Sequence, residues 1–364
     1  MSSRAHRPTL AVAILALLSL ITGACAGGGS VASPAASPDG TSAPSTLPSP
    51  AESASTEPSR EPTALAVGLG YIPSVQFAPF YLADQAGYYR DSGLDVTFRH
   101  GFDYDVIALV GQSELDIGLA DGTSVIPAAS QGIPIKYVAT IYGKFPSIVF
   151  SKASAGIDGP ADLAGRAVGI PGRFGSSWIM LQAMLSSAGL TPDDIELSEI
   201  GFTQAEAVTQ GLVEAATGFA NNEPVVMELN GVAVNVMRVD DIIPLPGNGL
   251  IVGDATLTAK REAVAAFVAA TLRAMDVIAA EPEVGLDAAI AAVPDLATAR
   301  DTQAAILDAT IDVWTGAAQV ERGFGAIDPA DWEASIEYLT TLDLVPNPVT
   351  VDQVVDASLL PAGG

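Results

Sequence analysis

Two short polar segments, 100 residues apart, carry side chains well suited to binding a small molecule. They are Asp121-Gly-Thr-Ser124 and Asn221-Asn-Glu-Pro224. Carboxylate and amide oxygens accept hydrogen bonds from N–H groups, and amide and hydroxyl groups can also donate them. These segments therefore provide the first candidate ligand-binding residues, which are Asp121, Thr123, Asn221, Asn222 and Glu223.

A third polar turn, Gly172-Arg-Phe-Gly-Ser-Ser-Trp178, adds a cation and two hydroxyl groups. Its two serines are suited either to capping the following helix or to donating hydrogen bonds to a ligand. Flat aromatic side chains near the candidate turns could stack on a ring, although aromatic residues are more often part of the core. The remaining candidates are Arg173, Ser176, Ser177, Tyr71, Phe77, Asp103, Tyr104 and Tyr142, with Phe102, Phe174 and Trp178 as further stacking faces.

The sequence argues against catalysis by a metal or by an activated nucleophile. His6 lies near the start of the chain, His100 is the one other histidine, and Cys25 is the single cysteine. A zinc site needs several histidine or cysteine ligands, and a Cys-His pair needs a free thiol. There is no glycine-rich phosphate-binding loop that ends in Gly-Lys. We therefore predict no metal, no cofactor and no enzymatic activity.

The N-terminus has the pattern of a secretory signal. Arg4 and Arg7 precede an apolar run from Leu10 to Ile21, which is shorter than the ~20 residues that span a bilayer. Small residues and then Cys25 follow, an order similar to that of bacterial lipoproteins. That resemblance implies cleavage of residues 1–24 and lipid attachment at Cys25, on the outer face of the cell membrane; an ordinary signal beside an accidental cysteine is the alternative.

Composition separates a tether from a globular body. Residues 25–63 are rich in Ala, Ser, Thr and Pro and lack the apolar content needed for folding. The rest is apolar enough for a large core, since 49% of the whole chain is hydrophobic. The net charge of −26 disfavours nucleic acid and anionic lipid as partners. The lipid would then be the sole membrane contact.

Short apolar segments alternate with amphipathic ones from Leu65 onwards, which predicts βαβ units and an α/β fold. We expect two lobes, each a mostly parallel sheet flanked by helices, because 300 residues exceed one sheet. The similarity between residues 111–125 and 211–225 predicts equivalent turns in the two lobes. Both turns lie where a strand ends and a helix begins, which is where open α/β sheets bind ligands. The predicted strands are Leu65–Tyr71, Leu94–Phe98, Asp116–Ala120 and Ile135–Ile141, and then short strands near Val168, Ile195, Thr217 and Val232.

Several motifs, in this order and spacing, resemble one protein family. That family is the substrate-binding proteins of ABC importers, in the sulfonate/nitrate/thiamine-pyrimidine class. The likeness extends from about Leu65 to Pro294. The motifs are Gly70-Tyr-Ile-Pro73, Ala78-Pro-Phe-Tyr-Leu-Ala83, Gly87-Tyr-Tyr-Arg-Asp-Ser-Gly-Leu-Asp-Val96, Asp116-Ile-Gly-Leu-Ala120, Gly132-Ile-Pro-Ile-Lys-Tyr-Val-Ala139 and Asp162-Leu-Ala-Gly-Arg-Ala-Val-Gly-Ile-Pro171.

The resemblance implies a periplasmic-binding-protein-like fold, with a ligand enclosed between two hinged lobes. Residues 64–152 would form the first part of lobe 1 and residues 153–245 would form lobe 2. Residues 246–364 would return to lobe 1 and end in helices. The implied partners are a membrane permease and its ATPase subunit, and the protein would act as a monomer.

The ligand class follows from the charges in the candidate turns. Asp103, Asp121 and Glu223 outnumber the one nearby cation, Arg173, so burying an anion there would be costly. We therefore expect a neutral heteroaromatic vitamin or precursor, similar to the thiamine pyrimidine or riboflavin. The alternatives are a sulfonate, nitrate or taurine-type anion, a sensor lipoprotein, and an enzyme like the family's synthases of the thiamine pyrimidine, whose cysteine cluster this sequence lacks.

Overall fold

A computed structural model describes residues 61–101 and 103–361 of the chain. The described residues belong to one compact unit, Pro58–Gly364. The predicted signal sequence, the lipidation site Cys25 and nearly all of the predicted tether lie outside the described residues. The first strand begins at Thr63, so the folded part starts just before the predicted Leu65.

Ten strands form two five-stranded sheets with the same layout. The first sheet has the order β2-β1-β3-β10-β4, and the second has the order β7-β6-β8-β5-β9. The strands are β1 (Thr63–Leu69), β2 (Leu94–His100), β3 (Ile117–Asp121), β4 (Ile135–Thr140), β5 (Ser147–Lys152), β6 (Ala167–Ile170), β7 (Glu196–Glu199), β8 (Ala215–Phe219), β9 (Val234–Arg238) and β10 (Asn248–Gly253).

Each sheet is mixed, although four of its five strands run in the same direction, in agreement with the predicted mostly parallel sheets. In the first sheet β1 pairs in parallel with β2 and β3, while β10 is antiparallel to β3 and β4. In the second sheet β6 pairs in parallel with β7 and β8, while β5 is antiparallel to β8 and β9. The central strands β3 and β10 are buried along their whole length, as expected when helices cover both faces of a sheet.

The shared strand order also confirms the predicted internal similarity. Strands β3 and β8 occupy the third position of their sheets; β3 leads directly into a helix, and β8 leads into one after three residues. The helices are α1 (Ala78–Gln85), α2 (Tyr88–Asp91), α3 (Asp103–Gly111), α4 (Gly122–Ser130), α5 (Gly175–Ser187), α6 (Gln204–Gln210), α7 (Glu223–Leu229), α8 (Asp254–Ala280), α9 (Pro282–Ala292), α10 (Arg300–Trp314), α11 (Ala317–Arg322), α12 (Pro329–Thr341) and α13 (Val351–Val354).

The expected end of the first lobe at residue 152 is wrong, because β5 belongs to the second sheet. Val149 pairs with Thr217 of β8 and with Met237 of β9. The chain therefore crosses between the sheets over residues 141–146 and returns over residues 239–247. The apolar run of β5 fits either sheet, so local sequence cannot assign it.

The C-terminal helices contact both lobes. In α12, Trp332 packs on Tyr137 of the first sheet with ring centroids 4.7 Å apart. The same helix donates hydrogen bonds to the second lobe and to the returning segment, from Tyr338 Oη to the Ala183 carbonyl (3.1 Å) and from Ser335 Oγ to the Pro244 carbonyl (2.7 Å). The last part of the chain thus limits how far the lobes can separate.

Helix α8 is the one helix, among the described residues, that is long and apolar enough to cross a membrane by length and composition. Of its most apolar stretch of 18 residues, 56% is buried within the protein. Val264, Phe267 and Val268 lie fully buried in the first-lobe core, and their spacing of three and four residues places them on one face of the helix. This degree of burial is typical of a core helix in a globular protein.

Candidate ligand-binding site

A cavity of about 120 Å³ lies between the ends of the two sheets. The first lobe and the crossing segments supply part of its lining: Gly70, Tyr71, Gln76, Phe77, Tyr142 and Asn248. The second lobe supplies the rest: Pro171, Phe174, Gly175, Ser176, Ser177, Phe202, Gln204, Gly218, Phe219, Asn222 and Glu223. Eight of the residues named from the sequence are thus brought together: Tyr71, Phe77, Tyr142, Ser176, Ser177, Asn222, Glu223 and the further stacking face Phe174.

Glu223 is held in place by the turn between β8 and α7. Its Oε2 accepts the Phe219 backbone N–H at 2.7 Å, and its Oε1 accepts a hydrogen bond from Asn222 Nδ2 at 3.1 Å. Gly218 leaves the necessary space, since a Cβ there would lie 2.8 Å from Glu223 Oε2. Each carboxylate oxygen keeps a lone pair for a ligand.

Burial dominates the electrostatics of Glu223. Desolvation raises the pKa of this carboxyl, and the hydrogen bonds from Phe219 and Asn222 partly oppose the rise, while the negative charge of Glu206 adds to it. Among the described residues that line the cavity, Glu223 is the one with a formal charge. The site therefore presents a desolvated hydrogen-bond acceptor and no neighbouring cation in its lining.

Two aromatic side chains meet across the cleft. Tyr71 follows β1 in the first lobe and Phe202 follows β7 in the second, and their rings make an edge contact with centroids 5.8 Å apart. Burial, and then the negative charge of Glu223, raise the pKa of Tyr71 to about 12. Tyr71 is therefore a neutral hydrogen-bond donor near Glu223, and its ring offers an apolar face to a ligand.

The cavity floor is a set of hydrogen-bonded polar side chains. The Tyr142 hydroxyl donates to Gln76 Oε1 at 3.3 Å. Burial raises the pKa of Tyr142, and the nearby Asn221 side chain partly offsets that rise. Asn221 lies fully buried beneath the lining, where its Nδ2 donates to Thr310 Oγ1 at 2.9 Å. The structure thus places Asn221 behind the wall, where it links α10 to the turn that carries Glu223.

Asp121 and Thr123, which we expected to contact ligand, are fully buried and do not line the cavity. Asp121 caps helix α4, because its Oδ1 accepts the Ser124 backbone N–H at 2.7 Å and also the Thr123 hydroxyl. A helix cap and a ligand contact use the same residue types at a strand-to-helix turn. The sequence pattern therefore does not distinguish these roles.

Arg173 also lies outside the lining. It pairs with Glu199 at 3.2 Å, and its guanidinium lies 5.5 Å from the ring centre of Trp178. Both members of the ion pair are more than half exposed. Asp103 and Tyr104 begin helix α3, directly after residue 102, which is outside the described residues.

Sequence reasoning missed three polar lining residues, Gln76, Gln204 and Asn248. Gln76 lies in a single 3-10 turn, Val75–Phe77, that precedes α1. Asn248 begins the otherwise apolar strand β10, which the sequence analysis did not identify. A polar residue that opens a buried apolar run was the available signal for Asn248.

The described residues contain no cluster of three or more His, Cys, Asp or Glu side chains that could hold a metal ion. His100 has a structural role beside the site. Its Nδ1 lies 3.2 Å from the Tyr71 carbonyl oxygen and its Nε2 lies 3.0 Å from the Tyr81 hydroxyl. Burial lowers the pKa of His100, so the neutral ring can donate through Nδ1 and accept through Nε2.

Two sheets of equal strand order, with two crossings and a cavity between them, define the periplasmic-binding-protein fold, which confirms the predicted architecture. The alkanesulfonate-binding protein SsuA of Xanthomonas axonopodis pv. citri, solved with MOPS, has this fold. It superposes with a TM-score of 0.65 at 16% identity, over 82% of this chain and 99% of that one.

Residues 74–284 match the model of the family described as NMT1/THI5 like. The riboflavin-binding protein RibY of Chloroflexus aurantiacus is 35% identical over 303 residues, which cover 82% of this chain and 86% of that protein. A formylaminopyrimidine-binding protein of Halalkalibacterium halodurans is 26% identical over 301 residues, which cover 79% and 87%. The chain belongs to the NMT1/THI5-like family, which confirms the resemblance found in the motifs.

Proposed function

We propose that this protein is the extracytoplasmic solute-binding subunit of an ABC importer and that it captures a small heteroaromatic vitamin or precursor. The observation that carries this proposal is Glu223, a desolvated carboxylate fixed at the cavity wall with open acceptor positions. Ring N–H and amino groups are suitable donors to it. Tyr71 and Phe202 supply aromatic surface for the ring beside it.

Riboflavin is the first candidate ligand. The RibY protein, which shares 35% identity with this chain over most of both lengths, is named for binding it. The flavin ring system has an imide N–H that matches the Glu223 acceptor, and it is large enough to contact aromatic residues of both lobes. A flavin would need the lobes to separate further before it entered, because the cavity is about 120 Å³.

The cavity size favours a second candidate, a single-ring pyrimidine related to thiamine. A cavity of ~150 Å³ holds benzene, so the observed volume of about 120 Å³ is closer to that of one six-membered ring than to that of a three-ring flavin. The formylaminopyrimidine-binding relative supports this class. An amino group on such a ring would donate to Glu223 in the same way as the flavin imide.

An anionic ligand fits this lining poorly. A sulfonate would be buried beside Glu223, while Arg173 is paired with Glu199 and does not line the cavity. Burying two like charges without a cation carries a large desolvation cost. The sulfonate-binding structural neighbour, at 16% identity, is similar in fold, and it does not argue for the same ligand.

The remaining parts of the proposal concern the cellular setting. We infer a monomer tethered to the outer face of the membrane by lipid on Cys25, which delivers its ligand to a permease with an ATPase subunit. We also infer reversible binding without turnover, since the sequence lacks the cysteine cluster of the family's synthases. The alternative is a sensor that presents its ligand to a membrane kinase. Deletion of the gene would reduce cellular uptake of labelled ligand if the protein is an importer subunit, and would leave uptake unchanged if it is a sensor.

A thermal-shift titration of the purified protein tests the ligand class. Riboflavin, a thiamine-type aminopyrimidine and taurine are each added over a range up to a large excess. A ligand at 100 times its Kd stabilises by ~2.7 kcal/mol, which raises the Tm by about 5 °C or more for a protein of this size. A rise with taurine and with neither heterocycle would overturn the proposal. Mass spectrometry of the recovered ligand tests turnover: an altered product in excess of protein would contradict a binding role.

A further inference from the structure

The cavity wall contributed by the first sheet contains an amide side chain without a hydrogen-bond partner. Asn248 is 8% exposed and lines the cavity at the start of β10. Its Oδ1 is buried and unpaired, and no hydrogen bond joins its side chain to another described residue. Its backbone is fixed, because its carbonyl oxygen accepts the N–H groups of Ile141 (3.0 Å) and Tyr142 (2.8 Å).

The surroundings of Asn248 do not supply the missing donor. Asp121 lies directly opposite on β3, and its Oδ2 is also buried and unpaired. Directly opposite residues in an antiparallel pair point to the same face of the sheet. A carboxylate accepts hydrogen bonds and does not donate them. Asp121 therefore cannot supply the hydrogen that Asn248 Oδ1 lacks.

An unpaired buried amide is costly, and native structures rarely keep one without compensation. An apolar residue of similar size at position 248 would remove that cost. A ligand that forms the missing hydrogen bond would explain why the amide is present, since binding sites often contain residues that lower the stability of the free protein. A hydroxyl group fits best, because it can donate to Oδ1 and also accept from Nδ2.

We propose that Asn248 is a specificity-determining residue that accepts a hydrogen bond from a hydroxyl-bearing substituent of the ligand. The ring then lies against Tyr71 and Glu223, and its substituent points to the first-sheet wall. This inference rests on the proposed heteroaromatic ligand and adds the requirement for a hydroxylated side chain. The ribityl chain of riboflavin and the hydroxymethyl group of a thiamine-type pyrimidine both meet that requirement.

The test compares ligands that differ in the hydroxyl substituent. Riboflavin is compared with lumiflavin, which has a methyl group in place of the ribityl chain, and 4-amino-5-hydroxymethyl-2-methylpyrimidine is compared with 4-amino-2,5-dimethylpyrimidine. Affinities are measured by calorimetry on the parent and on Asn248→Leu. The parent should prefer the hydroxylated member of whichever pair binds by about tenfold, the size of one hydrogen bond. Asn248→Leu should reduce that ratio to within about twofold and leave affinity for the deoxy ligand nearly unchanged.

Separate controls test for effects on folding and for effects of replacing an amide elsewhere in the protein. Asn248→Leu should melt at the same temperature as the parent or higher, because it removes an unpaired polar group. Asn248→Ala provides the same comparison if leucine does not fit. Asn230→Leu, which replaces an exposed amide outside the cavity lining, should leave the ratio unchanged. A ratio that persists in both Asn248 variants, or that is lost in Asn230→Leu as well, would overturn this inference alone. Binding of neither ligand pair would overturn it together with the proposed function.

Discussion

Glu223 connects the local structure of a turn to ligand chemistry. The strand β8 ends at Phe219, whose N–H is free to bond the carboxylate, and helix α7 begins at Glu223 itself. Because a backbone donor and Asn222 fix the carboxylate, little side-chain entropy remains to be lost when a ligand binds. A preorganised acceptor of this kind gains affinity by avoiding that cost.

The first prediction concerns the charge of Glu223. Glu223→Gln keeps the shape of the side chain and removes its charge. Loss of a charged hydrogen-bond partner costs about 1.5–3 kcal/mol of binding, so affinity for the heteroaromatic ligand should fall by about ten- to a hundredfold. Calorimetric titration measures the affinity and a melting curve measures stability. If melting falls while affinity stays within about twofold, the residue serves the turn and not the ligand.

The second prediction is the pH dependence of the same group. Burial raises the folded-state pKa of Glu223 above its unfolded value, so the folded protein binds this proton more tightly. Its contribution to stability is therefore greatest below the ordinary glutamate pKa of ~4.3 and is lost as the pH rises through the raised value. Ligand affinity should show the opposite trend, because ring N–H groups need the carboxylate form. Affinity measured from pH 4 upwards should rise in the parent and stay flat in Glu223→Gln; equal profiles would contradict this account.

The sequence placed Glu223 and Asn222 correctly in a strand-to-helix turn at the cavity. It could not separate Asp121 from them, because a capping carboxylate and a binding carboxylate have the same local pattern. Asn248 was not identified from the sequence for a different reason. Its role depends on the partner strands of β10 and on the packing around its side chain, and neither is encoded in neighbouring residues.

At the scale of elements, Asp116 joins three parts of the first lobe. It lies just before β3, and its Oδ2 accepts the Ala66 N–H of β1 at 3.0 Å. Its Oδ1 accepts a hydrogen bond from Lys260 Nζ at 2.8 Å, at the point where α8 departs from helical geometry. Lys260 also donates to the Ala64 carbonyl at 2.9 Å. The acidic residue of the Asp116-Ile-Gly motif therefore holds the start of β3 against β1 and α8.

The third prediction tests this connection. Asp116→Asn removes the charge that pairs with the largely buried Lys260 amine, so the free energy of unfolding should fall by about 1–3 kcal/mol. Urea unfolding measures the change. Asp91→Asn is the matched control, since Asp91 and its partner Arg90 are more than 70% exposed. The control should change stability by less than about 0.5 kcal/mol. Equal effects of the two variants would contradict the structural role of Asp116.

The sequence predicted the alternation of strands and helices correctly for β1 to β4 and for β6 to β9, because within each of these two series a helix with a separate periodicity lies between one strand and the next. Strands β5 and β10 were missed for a shared reason. Each follows a crossing between lobes and lacks the preceding helix that marks a βαβ unit. Their antiparallel pairing is a property of the whole topology, which a local pattern does not contain.

At the scale of the molecule, two connections matter: one joins the protein to the membrane and the other joins its two lobes. The first is the proposed lipid at Cys25, and the second is the pair of crossings between the lobes. The fourth prediction concerns the lipid: Cys25→Ala should release the protein from the membrane fraction, because the proposed anchor is attached to the Cys25 thiol. Fractionation of cells with immunodetection measures the change. Full retention of the variant at the membrane would contradict lipid anchoring.

The first crossing is held by the end of α10. Gly143 and Lys144 donate backbone hydrogen bonds to the carbonyls of Trp314 (3.2 Å) and Val313 (2.9 Å). The chain segments approach so closely that a Cβ at Gly316 would lie 2.3 Å from the Gly143 carbonyl oxygen. We expect lobe closure to bend this crossing, and the contacts with residues 313–316 would then act as its support.

The fifth prediction is that Gly316→Ala weakens both the fold and ligand capture. The backbone at Gly316 has φ −87° and ψ 177°, which alanine can adopt, so the obstacles are steric: an added Cβ would lie 2.3 Å from the Gly143 carbonyl oxygen and 2.8 Å from Gln319 Oε1. Overpacking of this kind costs about 1–3 kcal/mol of unfolding free energy. Displacing the crossing should also misplace Tyr142, which follows β4 and lines the cavity, so affinity should fall along with stability.

Gly159→Ala is the matched control. A Cβ at Gly159 would meet Asp162 Oδ2 alone, at the ordinary contact distance of 4.0 Å, and Gly159 lies outside both crossings. Urea unfolding and calorimetric titration are measured on both variants at equal ligand concentration. A loss of stability without a loss of affinity in Gly316→Ala would show that the crossing does not shape the cavity. Lobe closure would then have to pivot on the returning segment, residues 239–247, which carries Asn248 into β10 and whose Pro244 carbonyl is bound by Ser335 of α12.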